Sequence, residues 1–246
     1  MGKLNEKICV ITGGSSGIGL GVARQFLVEN AKHVFIISHS KESLDQALLD
    51  LHHSNVTAIQ CDLAKSNQIN EMFQTIKDKT ESIDVLFVNA GILVDGLLGS
   101  IDEQMFDEVF DINVKGILFS VDRLLPLMVR GGSIIINSSV RCCKASSNRS
   151  IYSATKAAIR SFARSWSIDL RDRQIRVNSI CPGAIQTSIS QLSNRTIPLG
   201  NLASQSVLNR RGTTEEVAQS VVFLASDQSL FINGIELFID AAFAQI

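Results

Sequence analysis

Along the chain, short apolar runs bounded by turn residues alternate with longer stretches in which apolar positions recur every three to four residues. The first pattern is that of strands, the second that of amphipathic helices. Strands are expected near 7–12, 33–38, 55–61, 84–89, 133–138, 175–181 and 235–239, and helices near 17–30, 41–52, 66–79, 102–129, 151–171 and 214–226. Runs such as Ile8-Cys9-Val10-Ile11 and Ile134-Ile135-Ile136 show no polar alternation, as parallel strands covered on both faces require. Strand and helix in regular alternation predict repeated βαβ units. The expected fold is therefore α/β: a single-domain, doubly wound sheet of about seven parallel strands with helices on both faces. In 151–171, Ala158, Phe162, Trp166 and Leu170 fall at four-residue intervals and predict an inward stripe. The polar stretch 184–213 has no strong period, and a loop that long is expected to act as a lid.

A length of 246 residues suits one large domain covering 1–246. With 23 basic against 24 acidic residues, the chain sets up no field for nucleic acid or an anionic membrane, and neither partner is expected. No apolar run approaches the roughly 20 residues that span a bilayer. The first residues, Met1 to Glu6, lack the apolar core of a secretory signal, so a cytoplasmic location is expected. Five cysteines, an odd number, with Cys9, Cys61 and Cys181 in strand-like settings, point to reduced thiols. No cysteine and histidine pair at ligand spacing, and no metal site is expected.

Three stretches carry candidate chemistry. Tyr152, the single tyrosine, and Lys156 lie four residues apart on an expected helix and so share a face. An ammonium beside a phenol favours the phenolate and would lower its pKa from about 10. A rim tyrosine beside a solvated lysine would have the same spacing. The turn Thr12-Gly13-Gly14-Ser15-Ser16-Gly17-Ile18-Gly19 joins the first strand to the first helix, where backbone N–H groups and the helix dipole can hold a pyrophosphate. Its spacing departs from G-x-G-x-x-G, and a purely structural turn would read the same way. The second strand ends in Ser38-His39-Ser40-Lys41, with no acid for a ribose 2′-hydroxyl. Hydroxyls, an imidazole and an ammonium there favour NADP over NAD, unless that edge simply faces solvent.

Taken together, these residues resemble the short-chain dehydrogenase/reductase family over almost the whole chain. Its cofactor turn is similar to Thr12-Gly13-x-x-x-Gly17-x-Gly19. Asp62, followed by Leu63, resembles the residue that meets the adenine amino group, and Asn89-Ala90-Gly91 is similar to the motif closing the fourth strand. Val88 departs from the asparagine that usually precedes it. Asn113, Ser139, Tyr152 and Lys156 match the family's catalytic positions, and Pro182-Gly183 with Thr187 resembles the turn lining the nicotinamide. Ser138 is expected to point the other way from Ser139 on a strand end. Cys142 stands where many members have glycine, and Asp240-Ala241-Ala242 replaces a common Asp-Gly-Gly.

The resemblance implies a Rossmann-like catalytic domain that transfers hydride reversibly between NADP, or NAD, and a ketone or secondary alcohol. Tyr152 would exchange the proton, Ser139 would hold the oxygen, Lys156 would depress the tyrosine pKa and bind the nicotinamide ribose, and Asn113 would support a water path. Residues 92–100, 140–150 and 184–213 should form the substrate pocket. Arg141, Lys144 and Arg149 could attract an anion, though a solvated loop is the simpler reading. Arg130 and Arg173 resemble the docking positions of ketoacyl-carrier-protein reductases, which makes that activity the second reading. A non-catalytic dinucleotide sensor on the same fold is a third, disfavoured because the full Ser, Tyr, Lys set is present. The family habit further implies a homotetramer with helices 102–129 and 151–171 at its interfaces.

Overall fold

The computed structural model describes residues 2–187 and 206–245. Its chain begins with β1 (Ile8–Thr12), α1 (Gly17–Val28), β2 (His33–Ser38), α2 (Lys41–Leu51), β3 (Val56–Gln60), α3 (Ser66–Lys77) and β4 (Ile83–Val88). A helical arm follows: α4 (Glu103–Phe110), a π-helical turn (Asp111–Gly116), α5 (Ile117–Leu124) and a 3₁₀ turn (Leu125–Leu127). Then come β5 (Met128–Asn137), a 3₁₀ turn (Val140–Cys142), α6 (Ser150–Asp169), β6 (Arg176–Pro182), α7 (Thr214–Ala225) and β7 (Glu236–Ile239).

Seven strands form one sheet in the order β3-β2-β1-β4-β5-β6-β7, and every pairing is parallel. The side-chain period of two divides each strand between two cores. Val10 and Leu86 face one side with Met72 of α3, Val121 of α5 and Ile159 of α6. Cys9, Ile11 and Phe87 face the other with Phe26 of α1, Ala47 of α2 and Val221 of α7. Burying each such Ile, Val or Phe contributes about 1.5–3 kcal/mol. This two-sided burial explains the uninterrupted apolar runs. The strand order reverses between β1 and β4, and the crevice at such a switch point is where α/β sheets take ligands.

Two expectations need correction. The segment 102–129 is not one regular helix: it passes through the π turn, tightens at Pro126 and ends at Leu127, so that Met128 already pairs with Ile83. The inward stripe of α6 is Ile151, Thr155, Ile159 and Ala163, whereas Phe162 and Trp166 are only half-buried and stack on each other at 4.8 Å. Leu170 is buried and Phe162 and Trp166 pack against the same core, so the expected row is the neighbouring one, at the margin of the buried face rather than its centre. Among the described residues no helix is long and apolar enough to cross a membrane. Residues 188–205 of the expected lid lie outside the described residues.

Candidate active site

The carboxyl ends of the strands open into a cleft of about 1110 Å³. At its β1 end, Gly13 (φ 63°) and Gly17 (φ 52°) adopt the left-handed conformation that favours glycine. A Cβ on Gly19 would lie 2.0 Å from the Gly13 carbonyl oxygen, so this helix start needs its glycine to approach the turn. Ser16, the N-cap of α1, makes no side-chain cap, which leaves the first N–H groups of that helix to other acceptors. Gly13, Ser15, Ser16, Gly17 and Ile18 line the cleft. Thr12 does not: its hydroxyl is buried and accepts from the N–H groups of Asn89 (3.0 Å) and Ala90 (3.1 Å). Thr12 thus braces β1 to the end of β4.

Asn89 completes that brace by donating to the carbonyls of Thr12 (3.2 Å) and Gly13 (2.9 Å) and accepting from Asn137 (2.8 Å). Ala90 and Gly91 continue the cleft floor, and Val88 is fully buried in the sheet. Ser38 and His39 line the cleft beside Asp62 and Leu63. One Asp62 carboxylate oxygen accepts from the Ala64 N–H at 3.0 Å. Ser40 and Lys41 fall outside the lining, because Ser40 caps α2 through the Ser43 N–H and Lys41 pairs with Asp45 at 2.8 Å. No carboxylate of β2 or α2 lines the cleft. Pro182, Gly183 and Thr187 close the β6 side.

Ser139, Tyr152 and Lys156 all line this cleft. The Ser139 hydroxyl lies near enough to the Tyr152 phenol to lower its pKa, and the Ser139 Oγ accepts from the Arg141 N–H at 3.2 Å. Lys156, 4% exposed, donates to the Asn137 carbonyl at 2.8 Å, and its ammonium sits 5.6 Å from the centre of the Tyr152 ring. Burial brings the Lys156 pKa down from 10.5 to about 8. The Tyr152 phenol is held above its ordinary value, burial outweighing the opposing Ser139 hydrogen bond and the charges of Arg149 and Arg141. The expectation that Lys156 depresses the tyrosine is therefore reversed here: desolvation dominates, and the lysine is spent on Asn137.

Asn113 is fully buried behind the cleft in the π turn. Its amide accepts from the Ile92 N–H (2.8 Å) and donates to the Ile92 carbonyl (2.8 Å) and to Thr155 Oγ1 (3.2 Å). One extra residue in the turn swings this side chain inward and ties the loop after β4 to α6. Sequence reading missed Asn137 and Thr155. Asn137 bridges Asn89 and Lys156, and its own Oδ1 is buried with no hydrogen-bond partner among the described residues. The Asn-Ser-Ser run at the end of β5 was the available signal. Ser138 is no idle neighbour either, since its hydroxyl donates to the Lys156 carbonyl at 2.9 Å.

The cations of the pocket rim are mostly engaged. Arg149 pairs with Asp95 at 2.5 Å, and Lys144 bonds the Phe243 carbonyl at 2.5 Å. The guanidinium of Arg141 lies over the Phe243 ring at 5.4 Å. Arg130 and Arg173 occupy the opposite end of the sheet. Arg130 binds the Asp172 carbonyl, and Arg173 binds those of Leu125 and Met128, around the start of β5. Arg130 lies seven residues before Asn137, the first β5 residue of the cleft lining, and at about 3.3 Å per residue that is about 23 Å along the strand. Leu97 and Leu98, expected in the pocket, are exposed.

Comparison with known proteins agrees with this geometry. A family model described as "Enoyl-(Acyl carrier protein) reductase" matches residues 13–243. The chain is 37% identical to the oxidoreductase asL5 of Sarocladium schorii, covering 99% of this chain and 98% of that one. It is 35% identical to the 3-oxoacyl-[acyl-carrier-protein] reductase FabG of Thermotoga maritima, over 97% and 98% of the two chains. A double mutant of a Serratia marcescens short-chain dehydrogenase/reductase superposes with a TM-score of 0.91 at 25% identity, over 98% of this chain and 99% of that one. The chain belongs to the short-chain dehydrogenase/reductase family, oxidoreductases that act on secondary alcohol and ketone groups with a nicotinamide dinucleotide.

Proposed function

We propose that this protein is an NADPH-preferring carbonyl reductase, a single catalytic domain working as a homotetramer in the cytoplasm. The observation that carries the reading is the presence of Ser139, Tyr152 and Lys156 together in the cleft wall, with burial pushing the Tyr152 phenol pKa up. A proton donor is what reduction asks of that position.

The chain's own groups fit a dinucleotide. The left-handed glycines and uncapped start of α1 suit a pyrophosphate, Asp62 an adenine, and Pro182, Gly183 and Thr187 a nicotinamide. When bound, the cofactor supplies the hydride. Ser139 and Tyr152 then hold the substrate oxygen, and Tyr152 gives its proton to the alkoxide as it forms. Oriented donors of this kind are worth roughly 3–4 kcal/mol each. Lys156 keeps a positive charge near the phenol, while Asn137 fixes its position. Ser38 and His39, with no carboxylate from β2 or α2 beside them, favour a 2′-phosphate over a bare hydroxyl.

Reduction of a 3-oxoacyl thioester on a carrier protein is the second reading, supported by the Thermotoga maritima relative. The position of Arg130 and Arg173, away from the cleft of their own chain, weighs against them as its docking site.

The test is a fluorescence titration of wild type and Tyr152→Phe with NADPH and NADH, followed by turnover on a panel of ketones. NADPH should bind at least about tenfold tighter, a difference of about 1.4 kcal/mol. The variant should bind NADPH like wild type and lose about 10²–10⁴-fold in turnover. Equal or tighter binding of NADH refutes the cofactor assignment, and near-normal turnover refutes the role of Tyr152.

A further inference from the structure

Cys142 occupies the last position of the 3₁₀ turn that follows Ser139, and its N–H donates to the Ser139 carbonyl at 3.0 Å. Cys181 lies fully buried near the end of β6, directly before Pro182 and Gly183 of the cleft wall. Their sulfurs face each other at 3.8 Å. Arg160 stands over the pair, its Nη1 4.0 Å from the Cys142 sulfur and 3.4 Å from the Cys142 carbonyl, while its own side chain is held by Glu236. We propose that Cys142 and Cys181 form a reversible disulfide on exposure to a hydroperoxide, making the turn behind Ser139 a thiol-oxidation site.

The other thiols show why this pair is singled out. Cys9 is buried among apolar groups, with its pKa pushed well up by desolvation, and Cys61 is pushed up to about 12 for the same reason. Neither thiol is poised to attack an oxidant first. Cys181 is pushed up too, by its hydrogen bond to Cys142 and by burial, and takes only the second, resolving step because its sulfur already faces Cys142. Cys143 is exposed, but its sulfur is turned back onto the Val140 carbonyl at 3.3 Å. Cys142 is only half-buried, so a small oxidant can reach it. Its thiol is drawn below the ordinary range, first by the hydrogen bond from Cys181 and further by Ser138 and the Arg160 charge, against the cost of burial.

The chemistry balances in two steps. The Cys142 thiolate attacks one oxygen of the hydroperoxide, the O–O bond breaks, and Cys142 becomes a sulfenic acid as hydroxide, or an alkoxide, leaves. The Cys181 sulfur then attacks the sulfenic sulfur; the S–S bond forms, and water leaves with the Cys181 proton. Both thiols are oxidised by one electron each and the hydroperoxide is reduced by two. Reaching the 2.05 Å of an S–S bond asks the sulfurs to close by about 2 Å, within the reach of side-chain rotation and a small shift of the turn. That shift moves the backbone next to Ser139 and clamps it to the strand end carrying Pro182. Only this effect on turnover rests on the function proposed above; formation of the bond does not.

The test treats the purified full chain with a small molar excess of hydrogen peroxide, alkylates the remaining thiols, and maps peptides by mass spectrometry without reduction. A Cys142–Cys181 linked pair, assigned by fragmentation and reversed by dithiothreitol, is the expected result. Cys143→Ser should give the same link; Cys142→Ser and, separately, Cys181→Ser should each abolish it. Turnover of the oxidised wild type should fall at least tenfold and return on reduction. Recovery of Cys142 as a free thiol, as a sulfinic acid, or linked to Cys143 overturns the site. A disulfide that forms without changing turnover overturns its effect on Ser139. Because mapping needs no substrate, its outcome stands whether or not a ketone turns over.

Discussion

Ala241 and Ala242 hold φ values of 50° and 64°, in the left-handed region where the resembling proteins commonly have two glycines. The turn is kept in place by Asp240, whose carboxylate accepts from the N–H groups of Ala242 (3.1 Å) and Ala244 (2.8 Å). A left-handed L-residue costs roughly 1–2 kcal/mol, and glycine gives back part of that difference through its freer unfolded chain. Ala241→Gly with Ala242→Gly should therefore raise stability by about 1 kcal/mol in urea unfolding, and an unchanged midpoint would refute the strain. Lys156 is the opposite case, a group kept at a cost to stability. With a folded pKa of about 8 against an ordinary 10.5, holding its charge near neutrality costs about 3 kcal/mol. The hydrogen bond to Asn137 offsets about 1 kcal/mol of this. Lys156→Met should be more stable than wild type by about 1–2 kcal/mol at pH 7, though inactive. The sign follows from linkage: between about 8 and 10.5 the unfolded chain keeps a proton that the folded one has released, so wild type gains stability as pH rises. The Met variant's advantage should shrink over that window; an advantage flat with pH would argue that Lys156 is not the titrating group.

At the scale of the element, the π turn between α4 and α5 is the feature that makes the site. A regular helix through Asp111–Gly116 would rotate Asn113 away from Ile92 and leave that residue's N–H and carbonyl without their partner. Gly116 permits the close approach, since a Cβ there would lie 2.6 Å from the Leu63 carbonyl oxygen. Each orphaned buried group costs about 1–3 kcal/mol. Asn113→Ala should thus lower stability by about 2–4 kcal/mol in urea unfolding and lower turnover with it, because the loop after β4 is released. A change below about 0.5 kcal/mol would show that the loop is held by other contacts.

For the whole molecule, several large apolar side chains of α4, α5 and α6 are exposed among the described residues. Phe106 on α4 stacks on Phe110 at 4.3 Å yet remains 44% exposed, and Phe119 on α5 and Ile168 on α6 are also open to solvent. Exposed apolar side chains of this size are candidate contacts for the proposed homotetramer. Light scattering should report a particle of about four times 26.8 kDa. Phe106→Glu with Phe119→Glu should give a smaller one. A wild-type mass equal to one chain would refute the tetramer.

The local pattern was enough to place the strands within a residue or two at most ends, because burial on both faces leaves uninterrupted apolar runs that compete with no other reading. It also marked Gly13, Gly17 and Gly19, and Tyr152 with Lys156, since each depends on spacing within one turn or one helix; Ser139 was marked only by the resemblance to the family. Three things depended on groups far apart in the chain meeting in space. The π turn forms because the Asn113 amide finds Ile92 and Thr155, a competition that helix periodicity does not register. Asn137 matters because Asn89 and Lys156 converge on it from β4 and α6. The Tyr152 pKa was expected to fall from its neighbour at i+4, but it follows how much water the folded cleft excludes. Spacing along a helix reports which charges are near; only the packed chain sets the cost of keeping them charged.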